Sequence, residues 1–280
     1  MRFLQGSAKR EGFRIRAMKI FDIHVHIFPE KIAVKAAKSI GDFYDGIPMH
    51  GNGTVELAVE MLEAAGVKAF AAHSVAMTPH NVERINDFIL ASREKMPDRL
   101  IPFAAIHPRV DDMQATMDAI VSQGFRGIKI HPDMQRFAVD DPAVAPMMDA
   151  ISQSGLPLLI HSGDYRYDYD GPQRLLNLHK NFPELKMICA HFGGWGEWDR
   201  AVEMLPGNGM MIDCSSSLYQ WPAERAVEAI RRFGAENVFF GSDYPMWNPK
   251  EEVERFMGLD LTDAEREAIL WGNAARMFGL

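Results

Sequence analysis

Cysteine is nearly absent from this chain: Cys189 and Cys214 are the two in 280 residues. Both fall in apolar stretches that read as strands, so they are expected to be buried free thiols, as suits a reducing cytoplasm. No closely spaced cysteine pair exists to hold zinc through thiolates. Long apolar runs are lacking as well. None approaches the ~20 residues that cross a bilayer. Basic runs are missing and the formal net charge is −8, which argues against nucleic acid or an anionic membrane as partner. Residues 1–17 (MRFLQGSAKREGFRIRA) are basic but carry no apolar h-region, so they make a poor signal peptide. They are expected to be a flexible leader, with residues 18–280 forming a single domain.

What is present is a chain that is 47% hydrophobic and long enough for one well-buried domain. From Met18 onward it alternates. Short apolar, β-rich runs are KIFDI (19–23), VKAFAAH (67–73), LIPFAAI (100–106), FRGIKI (125–130), LPLLI (156–160), LKMICA (185–190), GMMIDC (209–214) and NVFFG (237–241). Between them lie amphipathic stretches with apolar residues at helical spacing, such as 81–95, 115–123, 223–233 and 251–257. Gly66, Gly124, Gly155 and Gly234 each stand where a helix should end before the next strand. Strand, crossover helix and strand, repeated without a polar linker, predict a parallel sheet. Eight such runs are the number that closes a (β/α)₈ barrel.

The runs end in polar residues able to do chemistry: His24 and His26, His73, His107, His131, His161, His191, Asp213 and Asp243. From His131 onward the histidines recur about 30 residues apart, the length of one strand–helix unit. In a closed barrel all strand C-termini meet at one mouth, whereas an open sheet would spread them along an edge. Convergence on one site is the simpler account.

His24 and His26 are two apart on a strand and so project to one side, with Asp22 expected deeper on the same face. Two neutral imidazoles on a rigid face suit a borderline ion such as Zn²⁺. His161, His191 and Asp243 each follow four or five apolar residues. Buried there, each needs a partner or a cation. A structural histidine can be satisfied by one carbonyl, but four histidines and an aspartate at one barrel end point to a metal.

DIHVHIFPEKIA, GIKIHP, LIHSGD, CAHFGG, FGSDYP and the C-terminal GNAARMFGL together resemble the amidohydrolase superfamily. The likeness is to its branch of short metal-dependent hydrolases, which also contains aminocarboxymuconate-semialdehyde decarboxylase, and it covers essentially residues 18–280. The resemblance implies one divalent ion, with Zn²⁺ expected, held by His24, His26, His161 and Asp243. It implies that Asp243 also handles the proton of the attacking water, and that His191 polarises water or substrate. Two-metal members bridge their ions with a carboxylated lysine. Here Lys129 is expected instead to be a buried lysine paired with a carboxylate such as Asp22.

Around the mouth, His73, His107 and His131 are candidates for substrate contact. Arg166 could clamp a substrate carboxylate and Trp195 could wall the pocket. The glycine-rich segment 40–54 reads as a loop over the mouth. The expected activity is a metal-dependent hydrolase cleaving a C–O or C–N bond in a lactone, ester or amide of a small carboxylated substrate. The alternative is a non-oxidative decarboxylase on the same site. Against it stand the short chain and a first motif of His-x-His where some decarboxylases carry Glu-x-His. A barrel that has lost catalysis and only binds is disfavoured by the intact Asp243 and His191. The only partner implied is a small-molecule substrate; a homodimer is compatible with the sequence.

Overall fold

The computed structural model describes residues 18–280; the expected leader lies outside the described residues. Eight parallel strands pair in sequence order: β1 (Ile20–His26), β2 (Val67–His73), β3 (Leu100–Ala105), β4 (Gly127–Ile130), β5 (Leu158–Ile160), β6 (Met187–Cys189), β7 (Met211–Asp213) and β8 (Val238–Phe239). Beyond β8 the chain returns to β1. The Ile23 amide donates to the Phe240 carbonyl (2.9 Å), Asp243 to His24 (2.9 Å) and His26 to Tyr244 (2.8 Å). The ring is closed, as a (β/α)₈ barrel requires.

Every run expected to be a strand is one, though β3 to β8 are all shorter than their apolar runs and β1 extends through His26. Strand residues alternate between two cores. Phe21, Ile23, Ala69, Ala71, Phe103, Leu159, Ile188 and Phe239 fill the barrel interior, plugged by Ala274 and Phe278 from the C-terminal helix Asn273–Phe278. Phe70, Ala72, Ile128, Ile130, Leu158 and Ile160 face outward, into the layer shared with the helices. In β1 the alternation changes phase. Phe21 and Ile23 belong to the interior, yet Val25 and Ile27 belong to the outer layer. The β1–β2 register shifts between Asp22 and Val25. Such an irregularity re-aims the residues beyond it, and here it turns His24 and His26 toward the mouth. Asp22 therefore does not share their face. Its Oδ1 accepts the backbone N–H of His24 and of Ser242, both at 3.0 Å.

Helices start where short polar side chains satisfy orphan amides. Thr54 caps α2 (Val55–Ala64), and Asp112 caps the helix Met113–Ser122. The segment 40–54 is not the free loop expected. Its first residues complete α1 (Glu30–Phe43). Farther along, the Gly51 amide donates to the Pro245 carbonyl (3.0 Å) and the Gly53 carbonyl accepts from Phe28 (2.8 Å). Among the described residues no helix is long and apolar enough to cross a membrane.

Gly127 opens β4 with the Phe103 ring lying where its side chain would be; a Cβ there would come within 2.5 Å of Cζ. Gly127→Ala should lower unfolding free energy by about 1–3 kcal/mol through overpacking. Denaturant titration checks this, and an unchanged midpoint would show that Phe103 is free to move aside.

Candidate metal centre

The C-terminal mouth holds one cavity of about 450 Å³ whose floor includes His24, His26, Lys129, His131, His161, His191 and Asp243. All seven are buried. At its centre, His24 Nε2 and His26 Nε2 lie 3.3 Å apart, and each is 3.4 Å from Asp243 Oδ1. His24, His191 and Asp243 also offer ligand atoms within 4.8 Å of one another. His161 stands one ring farther out, its Nδ1 3.1 Å from His191 Nε2. Of the four residues expected to hold a metal, three are therefore in mutual contact, and the fourth reaches them through His191.

The protonation of the site follows from burial. Burial first, and the nearby Lys129 ammonium next, push His24 down to about 4. Burial likewise lowers His26, His161 and His191. All four imidazoles are thus neutral near pH 7, the form that ligates a metal. Burial works to raise the Asp243 carboxyl, but the charge that His24, His26 and His191 take up when protonated in acid, and the hydrogen bond from His26, outweigh it and hold the group well below the usual carboxylate range. The Ser216 hydroxyl, 2.5 Å from Asp243 Oδ2, steadies the anion and in turn accepts from the Trp247 indole at 2.8 Å. Neutral imidazoles around a buried carboxylate fit a single divalent cation in chemistry and in spacing.

Asp213, at the end of β7, is a residue for which sequence reasoning assigned no role. Its Oδ2 lies 2.8 Å from His24 Nδ1, which places the proton on Nδ1 and leaves the Nε2 lone pair for a ligand. Its Oδ1 accepts the amides of His191 (3.0 Å) and Ser215 (2.9 Å). One carboxylate thereby orients two of the candidate residues. Its position ending a strand run was the available signal. Tyr44 gave none. It follows α1 and brings its hydroxyl to 2.9 Å from His131 Nε2 and 3.5 Å from His161 Nε2.

Two of the candidate residues sit on unusual backbone. His191 (φ 58°) and Asp243 (φ 59°) are both left-handed. Non-glycine residues in that region cost about 1–3 kcal/mol each and persist where the surroundings over-determine them, often at active sites.

Lys129 points inward as its parity predicts, but its partner is not Asp22. Its Nζ lies 3.1 Å from His24 Nε2, and burial pushes its ammonium down to about 8. His131 lines the cavity and stacks on His161 with centroids 3.8 Å apart. The other expected substrate contacts do not line it. Arg166 is engaged by Asp164 (2.7 Å), Asp45 (3.0 Å) and the Phe43 carbonyl (2.9 Å), so its fork ties the loop after β5 to the end of α1. Trp195 packs edge-on against Tyr44. His107 accepts the Arg109 amide on Nδ1 at 3.1 Å. His73 is buried against His26, ring centroids 4.4 Å apart, beneath the cavity.

Two outcomes are expected. Asp213→Ala should weaken metal binding by about 10–100-fold, the usual effect of removing a ligand's outer partner, read by competition with a chromogenic chelator. With His24 near 4 rather than 6.5, protons should compete for it only at low pH. The other candidate ligands His26 and His161 are lowered too, so metal affinity should hold as pH falls past 6.5 and be lost only at lower pH; a tenfold loss per pH unit beginning near 6.5 would show ordinary, solvated histidines.

The sequence profile of the Amidohydrolase family matches residues 21–280. A gamma-resorcylate decarboxylase from Polaromonas sp. (strain JS666) is 24% identical over 276 residues, covering 81% of this chain and 84% of that protein. Among solved structures, 5-carboxyvanillate decarboxylase from Sphingomonas paucimobilis superposes with a TM-score of 0.73 at 17% identity, over 94% of this chain and 100% of the other. Dihydroxybenzoic acid decarboxylase from Polaromonas sp. JS666, described with bound manganese and 2-nitroresorcinol, gives 0.72 at 16% identity, over 94% and 97%. These proteins are named for decarboxylation. That finding overturns the expected hydrolysis of a C–O or C–N bond, and the manganese leaves the expectation of zinc without support. The match across residues 21–280, on a closed barrel with histidines and an aspartate at its mouth, establishes that the chain belongs to the amidohydrolase family.

Proposed function

We propose that this protein is a metal-dependent non-oxidative decarboxylase of small hydroxylated aromatic acids. The observation that carries the reading is its similarity, over 81% of its length, to relatives named gamma-resorcylate decarboxylase. The geometry supports it. A floor of neutral imidazoles with one carboxylate, once a divalent cation is added, carries net positive charge, and Lys129 adds to it. Such a floor attracts and desolvates a substrate carboxylate.

We take His24, His26, His161 and Asp243 as the ligands of one divalent ion, with Lys129 uncarboxylated. When bound, the ion supplies positive charge that holds the substrate's oxygens and draws electron density from the ring. Three imidazoles and a carboxylate accept manganese, iron or zinc; manganese is the ion to load first. In the reaction the bond from ring carbon to carboxyl breaks, its electron pair stays on the ring carbon, that carbon takes a proton, and CO₂ leaves. We assign the transfer of that proton to Asp243 and His191. His191 is turned toward the cavity by Ser215, whose hydroxyl lies 2.9 Å from Nδ1. The apolar cavity walls exclude water from the ring carbon.

The test is CO₂ release from 2,6-dihydroxybenzoate, 5-carboxyvanillate and related hydroxybenzoates by manganese-loaded protein carrying about one ion per chain. A chelator should abolish it. Asp243→Asn and His191→Asn should each lower kcat by roughly 10²-fold or more, as loss of a proton-transfer group does, and His191→Asn should keep its metal while His161→Ala loses it. Hydrolysis of esters or lactones with no CO₂ from any acid would overturn the reading.

A further inference from the structure

The cavity does not end above the histidines. It runs outward between α1 and the helix Val82–Lys95 (α3), walled by Ile32 and Ile40 on one side and Ile85 and Phe88 on the other. Ile32 is 48% exposed although it lines this passage, so its apolar surface faces an open groove rather than a packed neighbour. At about 450 Å³ the space falls in the range that encloses drug-sized ligands, roughly 300–1,000 Å³, and a single ring with small substituents fills only its inner part.

The groove's outer end is basic. Lys35 on α1 and Arg84 on α3 both line it. In a chain with 38 acidic against 30 basic residues, Arg166, Arg174, Arg225 and Arg255 have carboxylate partners. Neither Lys35 nor Arg84 has one among the described residues; Arg84 donates only to the side-chain oxygen of Asn81, at 3.0 Å. Two cations without acidic partners, set across an apolar passage from a metal-binding floor, are complementary to an anion at a distance from the reacting carboxylate.

We infer that the groove between α1 and α3 is a specificity subsite for the distal part of the substrate: an apolar extension from the hydroxybenzoate ring that ends in a second anionic group held by Lys35 and Arg84. This rests on the proposed decarboxylase reading and narrows its substrate class to elongated, two-headed acids. The ring carboxylate sits on the histidine floor, the extension displaces water from the Ile32, Ile40, Ile85 and Phe88 walls, and the terminal anion reaches the basic rim. Each buried methylene should tighten binding about threefold to fourfold.

The experiment is calorimetric titration of manganese-loaded protein with salicylate and with salicylates carrying an ω-carboxyalkyl chain of increasing length, beside CO₂ release from the same acids. Affinity should climb with chain length to at least about tenfold above salicylate. A terminal methyl ester should lose much of that gain. In Lys35→Met/Arg84→Met the ratio of affinities between the carboxyl-ended and ester-ended acids should collapse toward one, with Ile85→Asp flattening the length dependence itself. No gain with length, or a gain that survives both variants, overturns the inference. So does a length-independent Kd together with an Ile32→Glu change that alters only the sedimentation coefficient, because a second copy of the chain then covers the groove. Length-dependent binding without CO₂ from any acid leaves the groove in place and removes the decarboxylase reading; CO₂ release with flat binding does the reverse.

Discussion

The barrel closes at residues of the candidate metal centre. The hydrogen bonds that join the last strand to the first run from the Asp243 amide to the His24 carbonyl and from the His26 amide to the Tyr244 carbonyl, at 2.9 and 2.8 Å. The backbone contacts that complete the ring therefore also fix the distance between the carboxylate of Asp243 and the two imidazoles of β1. A slip of one residue at this seam would point His24 and His26 away from the mouth, since strand side chains alternate faces. The left-handed backbone of Asp243 is the local cost of turning its carboxylate inward at that seam, and the closed ring holds it there.

Charge in the mouth is arranged around that seam. Burying four imidazoles suppresses their protonation, leaving lone pairs where a cation can use them. Asp213 keeps its negative charge beside the candidate ligands, orienting His24 through Nδ1 and fixing the turn at His191. Buried charge of this kind is tolerated because every partner is in place. Asp133, by contrast, lies 3.4 Å from His161 Nε2, and burial together with the neighbouring Asp164 charge pushes its carboxyl up, as burial and Asp133 itself push up Asp170.

The fold was legible in the sequence because each strand is an apolar run ending in a polar residue, and each intervening helix repeats at its own period. The convergence of His24, His26, His191 and Asp243 followed from the same feature, since strand ends share one face. What escaped depends on features that periodicity does not encode. The phase of Asp22 was misread because the β1 register shift is invisible to an alternation rule. The partner of Lys129 was misassigned for the same reason: with Asp22 turned away, His24 is the nearest group. Tyr44 reaches His131 from the end of a helix whose surface composition gives no sign of its destination. Arg166 looked free because its acidic partners, Asp164 and Asp45, are brought together only by the fold.

The reaction was the least legible element, and the reason is chemical. A metal held by histidines and a carboxylate can activate water or can hold a substrate anion, and the same ligands serve both uses. The His-x-His motif was weighed against decarboxylation, yet it does not oppose it. Replacing a ligating carboxylate by the neutral ring of His24 removes one negative charge from the floor. If His24, His26, His161 and Asp243 hold a divalent cation as proposed, three neutral imidazoles and one carboxylate leave a surplus of positive charge, which favours an anionic substrate over a neutral ester or lactone. Burial strengthens this preference, because charges screened in water interact more strongly in a site walled by apolar side chains. Nor does a shorter chain remove the chemistry, since the strands and strand ends that carry the site are all present.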